Sequence, residues 1–113
     1  MKLAVIGSRN FLDSVLLDQK LSALKKEIEV VISGGAMGAD TLAETWANEN
    51  GFPTSIFLPD HKRYAKGAYR VRNEQIAREC DTLIAFWDGA SKGTQYTIEF
   101  ARKLNKKVII YNF

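Results

Sequence analysis

Short apolar runs alternate with amphipathic stretches along the whole chain. Leu3-Ala4-Val5-Ile6, Val30-Val31-Ile32 and Leu83-Ile84-Ala85-Phe86-Trp87 are unbroken runs. Unbroken rather than alternating apolar strands are the mark of a parallel sheet covered on both faces. They predict strands over about 2–6, 29–33 and 82–87, with two more over about 54–58 and 107–111. Between them the spacing becomes helical. Leu17, Leu21, Leu24 and Ile28 share one face of a helix over about 14–27. A second helix starts near Gly38-Ala39-Asp40 and stops at Asn50-Gly51, a good C-terminal signal. Leu42, Trp46 and Glu49 follow its period, which assigns Trp46 to the core. The segment from Pro59 to Gly67 reads as a loop, followed by helices over about 68–79 and 92–105.

The order is therefore βαβαβ-αβαβ. With right-handed crossovers it predicts a three-layer α/β/α Rossmann-like sandwich. Its sheet is five-stranded and parallel, in the order 3-2-1-4-5, and the 113 residues form one domain. That order reverses between the first and fourth strands. Ligands of open α/β sheets bind at such a switch point, beyond the carboxyl ends of the strands.

Three strands run into glycine loops at that end: Gly7-Ser8-Arg9-Asn10, Ser33-Gly34-Gly35-Ala36-Met37-Gly38-Ala39-Asp40, and Asp88-Gly89-Ala90-Ser91-Lys92-Gly93-Thr94. Glycine allows close backbone approach, and the free N–H groups opening a helix favour an anion. The three loops together predict a site for a phosphate-bearing small molecule, a nucleotide or a derivative of one. Gly34, Gly35 and Gly38 are either a phosphate cradle or tight-turn packing. Asp40 either binds a ligand hydroxyl or simply suits the first turn of its helix. Gly93 and Thr94, with the Ser91 hydroxyl, form a second anion seat next to Lys92, unless Ser91 is only an N-cap. Arg9, beside Ser8, can bind phosphate in a bidentate manner. Trp87 either stacks on a base or is half-buried core, and Asp88 follows it at the crevice. None of this is a dinucleotide fingerprint or a Walker A loop, since the order at Lys92 is Lys-Gly-Thr.

Charge and composition narrow the field further. A net charge of +3 does not by itself argue for nucleic acid. Lys62, Arg63, Lys66, Arg70 and Arg72 lie close together, either as a solvated face or as an anion-binding arm over the crevice. Cys80 is the only cysteine, so no internal disulfide or cysteine zinc site can form, and it reads as a buried thiol. His61 is the only histidine, which argues against a Ser-His-Asp relay. No metal-ligand spacing occurs, and no cofactor is expected. No apolar run approaches the ~20 residues of a membrane span, and no signal-peptide pattern opens the chain, so a cytoplasmic location is expected. The carboxylates that could reach the crevice are Asp40, Asp88 and Glu99.

Taken together, Val5-Ile6-Gly7-Ser8-Arg9-x-Phe11, Ile32-Ser33-Gly34-Gly35-Ala36-x-Gly38-Ala39-Asp40, Pro59-Asp60, Tyr64-x-Lys66, Arg72-Asn73 and Phe86-Trp87-Asp88-Gly89-x-Ser91-Lys92-Gly93-Thr94 resemble the YspA-like group of the SLOG superfamily. The resemblance implies a Rossmann-like domain related to the LOG phosphoribohydrolases and the DprA/Smf proteins. It implies binding of nucleotide-derived ligands, by a sensor or a hydrolase, and a homo-oligomer. Arg72 is similar to the arginine that LOG enzymes carry before the fourth strand, and Gly93-Thr94 to their G-T. Thr97 stands where their catalytic glutamate would be. Glu99 comes two residues later, about 200° around a helix, and cannot replace it. In this chain the carboxylate step would fall to Asp88 or Asp40, or not occur.

Three functions follow as expectations. The first is a binding or sensing domain for a nucleotide, with Arg72 and Asn73 among its ligand contacts. The second is an N-glycosidase using Asp88 and Arg72. The third is single-stranded nucleic-acid binding in the DprA manner.

Overall fold

The computed structural model describes residues 1–113. Five strands, β1 (Lys2–Gly7), β2 (Val30–Ser33), β3 (Thr54–Ile56), β4 (Thr82–Trp87) and β5 (Lys107–Asn112), form one parallel sheet in the order β3-β2-β1-β4-β5. This is the predicted Rossmann-like order. Along β1, Leu3 pairs with Val31 on one side and with Thr82 on the other.

Alternate residues of the central strands feed two separate cores, because successive side chains point to opposite faces. Leu3, Val5, Val31, Ile84 and Phe86 pack on α1 (Ser14–Ser22) and α2 (Ala39–Glu49). Ala4, Ile6, Ile32, Leu83 and Ala85 face α4 (Ala68–Glu79) and α5 (Lys92–Lys103). Trp46 is core as expected, and its indole N–H donates to Asp18 Oδ1 at 3.0 Å, tying α2 to α1. Phe11, just past β1, stacks on Phe86 with ring centroids 4.5 Å apart. Cys80 is fully buried, and burial pushes its thiol up to about 11. No helix is long and apolar enough to cross a membrane.

Several boundaries differ from the sequence expectation. The first helix stops at Ser22 rather than 27, and Lys25–Glu27 is a separate 3-10 turn. The chain tightens there in order to return to the sheet, where Glu29 N–H reaches the Met1 carbonyl at 2.9 Å. The Pro59–Gly67 segment is not simply a loop. It holds a one-turn helix, α3 (His61–Tyr64), and a 3-10 turn over Ala65–Gly67. The Asp60 carboxylate starts α3 by accepting the Arg63 N–H at 3.1 Å. Edge strand β5 is only half-buried along Val108–Tyr111, so covering on both faces does not extend to it.

Candidate functional site

The switch point lies between β1 and β4, and Ser8 fastens it. Ser8 N–H donates to the Phe86 carbonyl at 2.9 Å, and Asp88 N–H donates to Ser8 Oγ at 3.1 Å. Ser8 is buried and links the first and third loops rather than facing a ligand. Gly38 brings the second loop against the first. Its φ is +85°, and a Cβ there would sit 2.5 Å from the Ser8 carbonyl and 2.7 Å from that of Arg9. Ser33 is likewise occupied, donating to the Glu44 carboxylate and accepting the Gly35 N–H.

These supports frame a cleft of about 210 Å³. Gly7 and Arg9 come from the first loop, Ala36 and Asp40 from the second. Tyr69, Arg72, Asn73 and Ile76 come from one face of α4, at i, i+3, i+4 and i+7. Ser91, Gly93 and Thr94 open α5, with Thr97 one turn further on.

Arg72 is 7% exposed. Its Nη1 donates to the Gly34 carbonyl at 2.6 Å and its Nε to Asn73 Oδ1 at 2.8 Å. Its Nη2 has no partner in the chain, yet no side-chain polar atom is sealed away unpaired, so Nη2 keeps some access to solvent, and Arg72 lines the cleft. Burial works against its charge, and Asp40 supports it. Arg9 is exposed and makes no side-chain hydrogen bond or ion pair. Both guanidiniums lie near the Tyr69 ring, with Cζ 6.0 Å away for Arg9 and 5.6 Å for Arg72. A tyrosine face attracts both cations and holds them together despite their repulsion.

Asp40 is the one carboxylate on the cleft wall. Its Oδ2 accepts the N–H of Gly34 at 2.9 Å and of Ala36 at 3.3 Å. Burial nevertheless pushes its carboxyl up to about 6. Desolvation of the charged form outweighs both hydrogen bonds and the nearby Arg72.

The start of α5 presents donors. Ser91 Oγ caps the helix by accepting Thr94 N–H at 3.4 Å. The N–H groups of Lys92 and Gly93 bond to nothing within the chain. A Cβ on Gly93 would meet only Asn73 Nδ2, at 3.8 Å, so packing does not demand glycine there. Unlike Gly38, Gly93 keeps an approach to the helix end open.

Other expected residues fall outside this wall. Asp88 turns back on its own loop, accepting from Ala90 N–H and Ser91 N–H at 2.9 Å each, and these bonds hold its carboxyl below the usual range. Trp87 is half-buried and donates its indole N–H to the Ser91 carbonyl at 3.0 Å. Both shape the loop that carries Ser91. The Lys92 side chain is exposed and does not line the cleft, and Gly34 and Gly35 line an adjoining hollow. Of the basic cluster only Arg72 enters the cleft. Lys62, Arg63, Lys66 and Arg70 are exposed outside its wall. Thr97 donates to the Gly93 carbonyl at 2.8 Å, and Glu99 is exposed beside Gln95. Neither supplies the missing carboxylate. Tyr69 is the residue that sequence reasoning missed. Its helical spacing to Arg72 and Asn73 was the available signal.

The fold and the chain's sequence both have relatives. The gene 61 protein of Mycobacterium phage D29 is 35% identical over 86 residues, covering 71% of this chain and 69% of its own. The DNA processing protein A (DprA) of Streptococcus pneumoniae superposes with a TM-score of 0.83 at 25% identity, over 96% of this chain. The chain spans about half of that protein, 49% of its length. DprA from Helicobacter pylori, described for its single-stranded DNA binding mode, superposes with a TM-score of 0.77 at 22% identity. That match covers 97% of this chain and 64% of the other. The YspA, cpYpsA-related SLOG family matches over residues 1–64, which include both the Gly7 loop and the Ser33–Asp40 loop, and the chain belongs to that family.

Proposed function

We propose that the cleft binds the phosphate of a nucleotide or nucleotide-derived ligand, as a ligand-binding or sensing domain. One observation carries this reading. Arg9 and Arg72 line one hollow with no carboxylate paired to either, and Arg72 Nη2 is unbonded, as are the N–H groups of Lys92 and Gly93 that open α5. Two cations held together with no ion-pair partner, and Asp40 as the one acid beside them, suit an anion next to a helix N-terminus. Asp40 lies on the same wall and can accept from a ribose hydroxyl. The relationship to DprA supports a nucleotide-type ligand in general terms.

Thermal unfolding should be followed with nucleoside mono-, di- and triphosphates, NAD, ADP-ribose and cyclic nucleotides, plus a single-stranded oligothymidine arm. A ligand at 100 times its Kd adds about 2.7 kcal/mol to stability. Stabilisation by a small nucleotide, lost in Arg9→Ala, is the expected result. Stabilisation by the oligonucleotide alone would favour the DprA-like role, and no response from any compound would overturn the reading.

Asp40 favours a second reading, hydrolysis of an N-glycosidic bond. It is the one cleft carboxylate, and its carboxyl, pushed up to about 6, suits proton transfer near neutral pH. Release of free base from a bound nucleoside monophosphate, abolished in Asp40→Asn, would establish it. Binding without base release would leave the sensing role alone.

A further inference from the structure

A second hollow of about 250 Å³ adjoins the cleft and shares Arg9, Ala36, Tyr69 and Arg72 with it. Its other walls differ in kind. Met37, Leu58 and Pro59 stand around the backbone of Gly34 and Gly35. Met37 is 73% exposed and Leu58 66%. Of the eight large apolar side chains that the fold leaves exposed, three (Met37, Leu58 and Tyr69) ring this hollow. Single exposed apolar residues are ordinary, whereas a cluster beside a charged site marks a contact surface.

The floor offers little for recognising a polar edge. Gly34 N–H and Ala36 N–H are bonded to Asp40, the Gly34 carbonyl to Arg72, and Gly35 N–H to Ser33. No Asp, Glu, Asn, Gln, Ser or Thr lines the hollow. Gly35 has no side chain to fill it, and Leu58 lies directly over that position, where a Cβ would be 2.6 Å from its Cδ2. The two spaces share Arg9, Arg72 and the Tyr69 ring and differ in the rest, one adding the N–H groups that open α5, the other the apolar side chains of Met37, Leu58 and Pro59.

We infer that the second hollow holds the base of the ligand whose phosphate occupies the cleft, gripping it by its faces among Met37, Leu58 and Tyr69. This rests on the nucleotide reading above and adds a direction to it. The phosphate lies toward Gly93, the sugar passes Arg72 and Asp40, and the base lies among Met37, Leu58 and Tyr69, beside the Leu58 side chain that covers Gly35. Recognition by faces discriminates weakly among bases, because rejection by many powers of ten requires buried hydrogen-bonding groups that the wrong ligand leaves unpaired.

Calorimetric titration of the native protein with AMP, GMP and ribose 5-phosphate tests the assignment, beside the double variant Met37→Ser, Leu58→Ser. Both side chains are exposed, and unchanged thermal unfolding verifies that the variant folds. AMP and GMP should bind within about tenfold of each other. Both should bind roughly tenfold or more tighter than ribose 5-phosphate, since covering an apolar ring adds affinity. In the double variant that advantage should collapse. Equal binding of AMP and ribose 5-phosphate to the native protein would overturn the base assignment while leaving the phosphate site intact. So would an advantage that survives the double variant. Failure of all three compounds to bind the native protein would instead remove the nucleotide reading, and this inference with it.

Discussion

Asp40 and Arg72 grip one residue from its two sides. Gly34 N–H donates to Asp40 Oδ2 at 2.9 Å, and Arg72 Nη1 donates to the Gly34 carbonyl at 2.6 Å. The two side chains make no ion pair with each other. Gly34 also leaves room for both, since a Cβ there would sit 2.7 Å from Arg72 Nη1 and 2.9 Å from Asp40 Oδ2. The second loop is thus positioned by charged groups whose remaining valences, Asp40 Oδ1 and Arg72 Nη2, are left for the cleft.

This arrangement makes stability depend on pH in a specific direction. The Asp40 carboxyl is raised from 3.8 to about 6, so the folded chain holds that proton more tightly than the unfolded chain. The resulting stabilisation is fully present below about pH 3.8 and is lost as pH rises through about 6. A difference of this size corresponds to roughly 3 kcal/mol. Asp40→Asn keeps an acceptor for both N–H groups but does not titrate. Urea unfolding of native protein and variant between pH 4 and pH 7 isolates the effect from other acids. The native protein should lose stability relative to Asp40→Asn across that range, and a constant difference would show that Asp40 ionises as freely folded as unfolded.

Arg9 and Arg72 should separate binding from folding. Arg72→Ala leaves the buried Gly34 carbonyl without its donor, which costs about 1–3 kcal/mol. A loss of ligand binding in that variant would therefore mix two causes. Arg9 is exposed and unbonded, so Arg9→Ala should change stability by less than about 0.5 kcal/mol. It should still weaken nucleotide binding, and more so at low salt, where exposed charges are least screened. Equal Tm with reduced affinity is the expected pair of readings. Unchanged affinity would place the phosphate elsewhere.

Much of this was legible in the sequence because the strong signals were non-local in consequence but local in pattern. The apolar runs at Leu3, Val30 and Leu83 mark central parallel strands, and the order that follows carries the glycine loops to one end. What the pattern could not separate was which loop residues face a ligand. Ser8, Ser33 and Gly38 have the same sequence appearance as Gly93, yet contacts with Phe86, Glu44 and the Arg9 carbonyl use them up. Such contacts join segments distant in the chain and leave no periodic trace. The end of α1 was equally hidden, since Ser22-Ala23-Leu24 carries no glycine or proline and the chain turns there only to meet Met1. Asp60 before α3 was a readable cap that loop composition masked.

Asp88 is predicted to act on the third loop rather than on a substrate. Its carboxylate collects the Ala90 and Ser91 N–H groups, and Ser91 in turn caps α5. Asp88→Ala should lower Tm and weaken binding together by loosening that loop. Asp88→Asn, which keeps an acceptor, should restore most of both. If any base-releasing activity is found, Asp88→Asn should retain it and Asp40→Asn should not. The reverse outcome would return the catalytic assignment to Asp88.

Paired alanine substitutions at Gly93 and Gly38 distinguish a glycine kept for a ligand from one kept for the fold. Gly38 has φ +85° and ψ −127°, and an added Cβ would press on two backbone carbonyls. Gly38→Ala should therefore cost about 1–3 kcal/mol through strain, and more if the first loop must shift. At Gly93 the helical backbone accepts alanine, and the nearest atom to an added Cβ is 3.8 Å away. Gly93→Ala should leave Tm unchanged or slightly raised, since alanine is the better helix former. Its methyl group would nevertheless stand at the mouth of the Lys92 and Gly93 N–H groups, where a phosphate oxygen must come within about 3 Å. Chemical denaturation combined with titration of a nucleoside monophosphate reads both quantities. Lower affinity at full stability in Gly93→Ala would place the anion on the start of α5. Unaltered affinity would move it toward Arg9 and the uncapped start of α2, where Gly38 provides no side-chain cap.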